Sequence, residues 1–451
     1  MQIKKGPSTS LFTVILFGTA VFAMHFGASC MIWPVTWGQQ SGSSVLTAAA
    51  GIMISAIILP FLAYLAITRG NGSFYTLASR INEKFAFVFG GLTVAVLGPL
   101  FVIPRMSAAS WDAACQVMNW NSDQMLPAFL FAVVYYLISF WFLFNLQEVL
   151  ARIGKYLVPL LGVMLVAVVV KTLTNPLSNW MPKLYQENPF TYGFINGYQT
   201  MDLPAALIYG TIIIASLKAL KGQSSKAQIN KNLLIVGGLG FGLLAVSHLS
   251  QMLVGAYTGH LYQDVTYAKL YVTIILNLWG VLGGTVFNIA LLFAALTSAV
   301  GLAAGTAAYF EEASKKKWSY RNVAIVTLAI SALISSFGLT KIIMITAPIL
   351  SLVYPPCIAL VAGYVILGNK NIGIISGATI VAFAWGCLDA LLGYLALAQI
   401  DTSGFMALYN LMPLASLGMG WLIPTLIGGL IGYLSIDKKP TVEIGHPSSA
   451  E

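Results

Sequence analysis

Charge is what this sequence has least of. Only 8% of its 451 residues are Asp, Glu, Lys or Arg, against roughly 25% in an ordinary soluble domain. So few ions cannot clothe a water-facing surface, so lipid must be the solvent and the chain reads as one integral membrane domain. Cysteine is scarce too. Cys30, Cys115, Cys357 and Cys387 are widely spaced and all but Cys115 sit in apolar runs, which indicates neither a disulfide framework nor a metal cluster. There is no metal-type histidine cluster and no nucleophile with a base at motif spacing, so an embedded enzyme is not indicated and no organic cofactor is expected. No folded sensor domain or long tail supports a receptor. The formal net charge of +9 does not imply nucleic acid, because the basic residues fall in short loops between apolar runs.

What the sequence has in abundance is hydrophobic residues, 58% of the total. A helix needs about 20 apolar residues to cross a bilayer. Runs of that kind place spans at about 11–37, 45–68, 85–106, 128–147, 152–172 and 193–217, then 231–257, 273–308, 322–338, 342–366, 372–399 and 414–435. The expected architecture is all-α and polytopic, with about twelve transmembrane helices and a short tail at 436–451. Lys4, Lys5, an apolar run and Ala28-Ser29-Cys30 imitate a lipoprotein signal, but Gly27 stands where a large aliphatic belongs and no hydrophilic domain follows, so the segment reads as an uncleaved first helix. Loops of alternating number carry 18 and 4 basic residues, which by the positive-inside rule puts both termini in the cytoplasm of a bacterial inner-membrane protein.

Two spans are abnormal. In the first, Gly27-Ala28-Ser29-Cys30 precedes Pro34; in the sixth, Asn196-Gly197-Tyr198-Gln199-Thr200-Met201-Asp202 precedes Pro204. Small, polar and proline residues in mid-membrane predict broken helices facing protein or a cavity, and matching breaks point to a transporter's binding site. The prolines lie 170 residues apart, about 34 per span if five spans intervene. An odd number reverses the direction of entry, so the halves, about 10–172 and 193–366, would be inverted repeats with two further helices at about 372–435.

At these residues the chain resembles the bacterial branched-chain amino acid:cation symporters, the BrnQ-type carriers. The similar stretches are Gly98-Pro99-Leu100-Phe101 with Pro104-Arg105, Asn196-Gly197-Tyr198 with Thr200-Met201-Asp202, Ala299-Val300-Gly301-Leu302 and Tyr354-Pro355-Pro356-Cys357-Ile358-Ala359-Leu360. The resemblance implies the leucine-transporter (LeuT) fold of five plus five inverted helices, and import of Leu, Ile and Val coupled to Na+ or H+. It departs at Gly27-Ala28-Ser29-Cys30, where the family usually has Gly-Ala-Gly-Asn. Another apolar substrate such as methionine is the alternative, with a channel or structural bundle as a reading of another class.

A zwitterion in the bilayer centre needs both charges met. The N–H groups of Ala28, Ser29 and Cys30, after Gly27, would face the carboxylate at a positive helix end. The carbonyls from Asn196 and Gly197 to Tyr198 and Gln199 suit the ammonium, leaving the apolar side chain against spans 1, 3, 6 and 8, with Trp33 and Tyr198 as neighbours. Trp33 is equally a packing residue. Ala294, Thr297 and Ser298 share one helical face and offer oxygens to a sodium ion, to which the resemblance adds carbonyls near Ala23 and Phe26; the plain alternative is hydroxyls bonded to their own helix. Asp202 reads as a helix cap ahead of Pro204 or a coupling group. Arg105 reads as a snorkelling residue at the outer end of span 3 or a substrate contact, and His25 as a packed neutral imidazole or a titrating one.

Overall fold

The computed structural model describes residues 11–143, 158–219 and 226–435, and among them the regular structure is helical, without strands. Helices suit a chain this apolar, because in lipid each backbone N–H and C=O must be satisfied within its own segment. Seven helical stretches are long and apolar enough to cross a membrane, a bent pair would be an eighth, and four shorter apolar helices accompany them.

The first span is two helices, Leu11–His25 and Ala28–Ser41, parted by Phe26 and Gly27. The second follows a tight turn at Gly42–Ser44 and ends at Arg69, with a π-helical stretch at Met53–Ile58. The third begins at Glu83, loses helical geometry at Gly98 (φ −84°, ψ −114°) and resumes as Val102–Met118. Met125–Leu143 and Val158–Thr174 follow. The sixth is Pro189–Asn196, a 3-10 turn at Gly197–Thr200, and Asp202–Ala219, bent by 44°. Then come Lys226–Ala256, Tyr267–Ala313, Tyr320–Ser335, Leu339–Leu367, Ile372–Leu397 and Leu422–Ser435.

Two spans differ from the apolar pattern. The third runs to Met118 and not to 106, because Arg105, Ser107, Ser110 and Asp112 turn inward, where helix neighbours replace lipid. The eighth is split at Gly280, whose φ of 65° suits glycine, so 267–279 is a separate helix ahead of the span proper. The expected end of the fourth span and start of the fifth, at 147 and 152, lie outside the described residues, as do Lys4, Lys5 and the tail.

Small residues set the packing. Gly373 and Gly377 of the eleventh span face Gly428 and Gly432 of the twelfth so closely that a Cβ on Gly377 or Gly432 would run into the opposing carbonyl oxygen, of Gly428 or Gly373 respectively. Paired small-xxx-small stripes let backbones approach and gain the dispersion contacts that hold helices together where no hydrophobic effect acts.

Candidate substrate site between two broken helices

Both breaks arise where the sequence cannot continue a helix. Gly27 caps the second half of the first span in an extended conformation (φ −85°, ψ −173°), and its N–H donates to His25 O at 2.8 Å instead of to Ala23 four residues back. In the sixth span Met201 adopts a left-handed conformation (φ 59°, ψ 21°), and Asp202 restarts the helix with its N–H on Thr200 Oγ1 at 3.3 Å.

Between the breaks lies a cavity of about 20 Å³, lined by Met24, His25, Ser29, Thr200, Asp202, Ser298 and a set of apolar side chains. That is room for about one water. The apolar wall is Leu97, Val102 and Met106 from the third span, Met201 and Ala205 from the sixth, and Leu302 from the eighth. Several polar atoms around the breaks are buried without a partner: Ser29 Oγ, Arg105 Nε, Gln199 Oε1, Tyr198 OH and His248 Nε2. Unpaired buried polar groups cost free energy, and of these five residues Ser29 alone lines the cavity.

The structure redirects three residues. Arg105 is 2% exposed and lies within the third span, so it does not snorkel: Nη1 donates to Gln199 O at 2.6 Å and Nη2 to Thr200 O at 3.2 Å, with Phe101 beneath the guanidinium at 4.3 Å. The Gln199 carbonyl expected to receive an ammonium is thus already engaged. Asp202, 3% exposed, does not cap its helix. Its Oδ1 lies 2.8 Å from His25 Nδ1 and its Oδ2 accepts from Cys30 Sγ at 3.5 Å. His25 is packed, as in the plainer reading, edge-on to Tyr209 and against Phe241, but it is also tied to Asp202 and, through Nε2, to Tyr64 OH at 3.3 Å.

The other expected residues divide by position. Ser29 and Ser298 line the cavity. Gly27 packs on the eighth span so tightly that a Cβ would stand 2.5 Å from Ser298 Oγ, while Ala28 and Cys30 are buried beside Ser29 at the start of the second half-helix. Trp33 turns to Trp37 and Tyr267, edge-on to the latter at 4.5 Å. Tyr198 stacks on Tyr354 at 4.0 Å. Gly197 sits against Ser55 of the second span, the Asn196 amide donates to Tyr192 O, and Gln199 donates to Asn196. None of these five lines the cavity. At the eighth span Ser298 Oγ donates to Met24 O at 3.2 Å, whereas Thr297 Oγ1 donates to its own Ala294 O at 2.9 Å. The span 1 carbonyl in contact is therefore that of Met24, with Ala23 and Phe26 to either side of it.

Sequence reasoning passed over Tyr209, whose OH donates to Ser298 O at 3.3 Å, and His248 and Gln251. Gln251 donates to Cys30 O at 3.0 Å. A histidine and a glutamine inside a long apolar run were the available signal.

Two discontinuous helices meeting around a small cavity of mixed polar and apolar lining are set in a fold shared with LeuT-fold membrane transporters. The chain matches Mhp1, a nucleobase-cation-symport-1 family transporter solved closed with bromovinylhydantoin bound, at a TM-score of 0.61, 14% identity and 96% and 95% coverage of the two chains. It matches MhsT in complex with L-phenylalanine at 0.54, 18%, 96% and 99%. Within that class, the model of the branched-chain amino acid transport protein family matches residues 10–439, and the chain belongs to this family. It is 30% identical to the branched-chain amino acid permease BrnQ of Escherichia coli K12 over 92% of this chain and 93% of the relative. To BraB of Bacillus subtilis 168 the figures are 28%, 93% and 94%. These relatives are transport permeases, not enzymes.

Proposed function

We propose that the chain is a secondary carrier that imports leucine, isoleucine and valine across a bacterial inner membrane, driven by sodium. The supporting observation is the cavity: aliphatic walls on one side, and on the other Ser29, Asp202 and the first turn of a half-helix, whose N–H groups have no intrahelical partner. Such a space suits a small apolar amino acid, whose side chain takes the wall and whose head takes the polar end. Space for one water does not admit leucine, so loading requires the surrounding spans to part. Inverted repeats over about 10–172 and 193–366, with both termini cytoplasmic, supply the two-sided opening. Sodium is assigned to the seam where Ser298 meets the first span, with Thr297, the Ala294 carbonyl and the carbonyls of Ala23 and Phe26 as its surroundings. The buried Asp202 and His25 pair supports protons as the second reading.

The test is radiolabelled leucine uptake into proteoliposomes with sodium and proton gradients imposed separately. Uptake follows the sodium gradient and is competed by Leu, Ile and Val but not by Lys or Glu. Uptake that ignores sodium and follows the proton gradient moves the coupling to the second reading, methionine outcompeting leucine changes the substrate, and no uptake under either gradient sinks the carrier assignment.

A further inference from the structure

The seventh span carries one buried histidine that the proposed carrier site leaves unassigned. His248 is fully buried, and its Nδ1 lies 2.9 Å from Leu244 O. A carbonyl only accepts, so Nδ1 bears the proton and Nε2 presents a lone pair. That nitrogen has no hydrogen-bond partner. A ring nitrogen of His248, the Cys30 sulfur and an Asp202 oxygen all lie within 4.8 Å of one another, and with Nδ1 engaged by the Leu244 carbonyl the nitrogen left to meet them is Nε2.

We propose that Cys30, Asp202 and His248 form a binding site for a thiophilic divalent cation of the zinc and cadmium type. A sulfur, an imidazole nitrogen and a carboxylate oxygen are the donors such ions take, three protein ligands leaving a fourth position for water. From ordinary zinc bond lengths, tetrahedral ligands stand about 3.3–3.8 Å apart, so closing the trio needs a shift of about 1 Å. Two of the three side chains are already oriented in the manner of metal ligands. The Leu244 carbonyl holds the imidazole by its far nitrogen, and His25 holds the Asp202 carboxylate by Oδ1. On binding, the Cys30 S–H bond breaks, an S–metal bond forms and the proton leaves to water. Thiolate and carboxylate then balance the dication, and neutral His248 completes the set.

The ligands come from the second half of the first span, the restart of the sixth and the middle of the seventh. A bound ion would pin both broken helices to one continuous helix, and so arrest any motion that needs them to part.

The experiment uses the full chain in detergent and cadmium alone as probe, read by the ultraviolet charge-transfer absorption of the cadmium–thiolate bond. Wild type takes up one equivalent with that band, and zinc competes for it. Cys30→Ser abolishes the band, and His248→Gln weakens cadmium binding at least tenfold while keeping the wild-type gel-filtration profile; His248→Asn replaces it if that profile is lost. Zinc inhibits leucine uptake by wild type and inhibits the His248 variant at least tenfold less potently. Absence of the band in wild type, its survival in Cys30→Ser, or undiminished binding by both His248 variants overturns the site. Because binding is read without transport, a failure of the leucine assay tells against the carrier reading and leaves the metal result standing.

Discussion

The breaks in the first and sixth spans solve the same problem by different chemistry. At Phe26 and Gly27 the interruption is short, and its neighbour is a neutral hydroxyl: Ser298 donates to the Met24 carbonyl from the eighth span. At Gly197–Thr200 it is a full turn, and its neighbour is an ion: Arg105 puts a fork on two successive carbonyls from the third span. A hydroxyl can be displaced at small cost. A buried guanidinium cannot, since removing its partners strands a charge in a low-dielectric interior. The first break is therefore the adaptable one and the sixth the anchored one, with Asp202 at its edge reaching back to His25 and Cys30 of the first span.

The largest effect should come from dismantling the anchored side. Arg105→Ala leaves the Gln199 and Thr200 carbonyls unpaired, and at about 3 kcal/mol leucine uptake at matched protein level should fall at least roughly 100-fold, with Arg105→Lys intermediate because an ammonium cannot reproduce the fork. Wild-type uptake by Arg105→Ala would show that the turn holds itself. Next is Asp202→Asn. A helix cap tolerates this change, since Asn caps about as well as Asp, but a carboxylate bonded to His25 does not: a charge-assisted bond of about 1.5–3 kcal/mol converts to roughly a 10- to 150-fold loss of uptake. Retention of half the wild-type rate would restore the cap. On the adaptable side, Ser298→Ala removes one hydroxyl bond of about 0.5–1.5 kcal/mol and should raise the sodium concentration for half-maximal uptake about two- to tenfold. Smallest is Thr297→Ala, whose hydroxyl serves its own helix, with a shift under about threefold in the same assay. An equal or larger shift at Thr297 than at Ser298 would reverse the assignment of the two hydroxyls.

Much of the fold could be read from the residues, because lipid makes the rules strict. Glycine, serine and proline in mid-membrane have few explanations other than a break, and Gly27 and the 196–202 stretch both break where expected. The third span was misread for the same strictness. Counting apolar residues stops at 106, yet the helix continues for another twelve residues to Met118, its polar side chains facing protein. That one error placed Arg105 at an interface and hid its bond to the sixth span. The partners of Asp202 were hidden for another reason: His25 is 177 positions away and Cys30 is 172, and no local pattern reports on a contact made by folding. Trp33 and Tyr198 drew notice as large aromatics near the breaks, but nearness in sequence does not say which way a ring points.

The small size of the central cavity also bears on how tightly such a machine can hold its gears together. An ion slipping through alone would have to give up nearly its whole hydration shell inside a space for about one water molecule, a step whose idealised Born cost is of order 20 kcal/mol and whose effective cost is still several kcal/mol. A cavity this small makes leakage of an ion slow through the cost of dehydration.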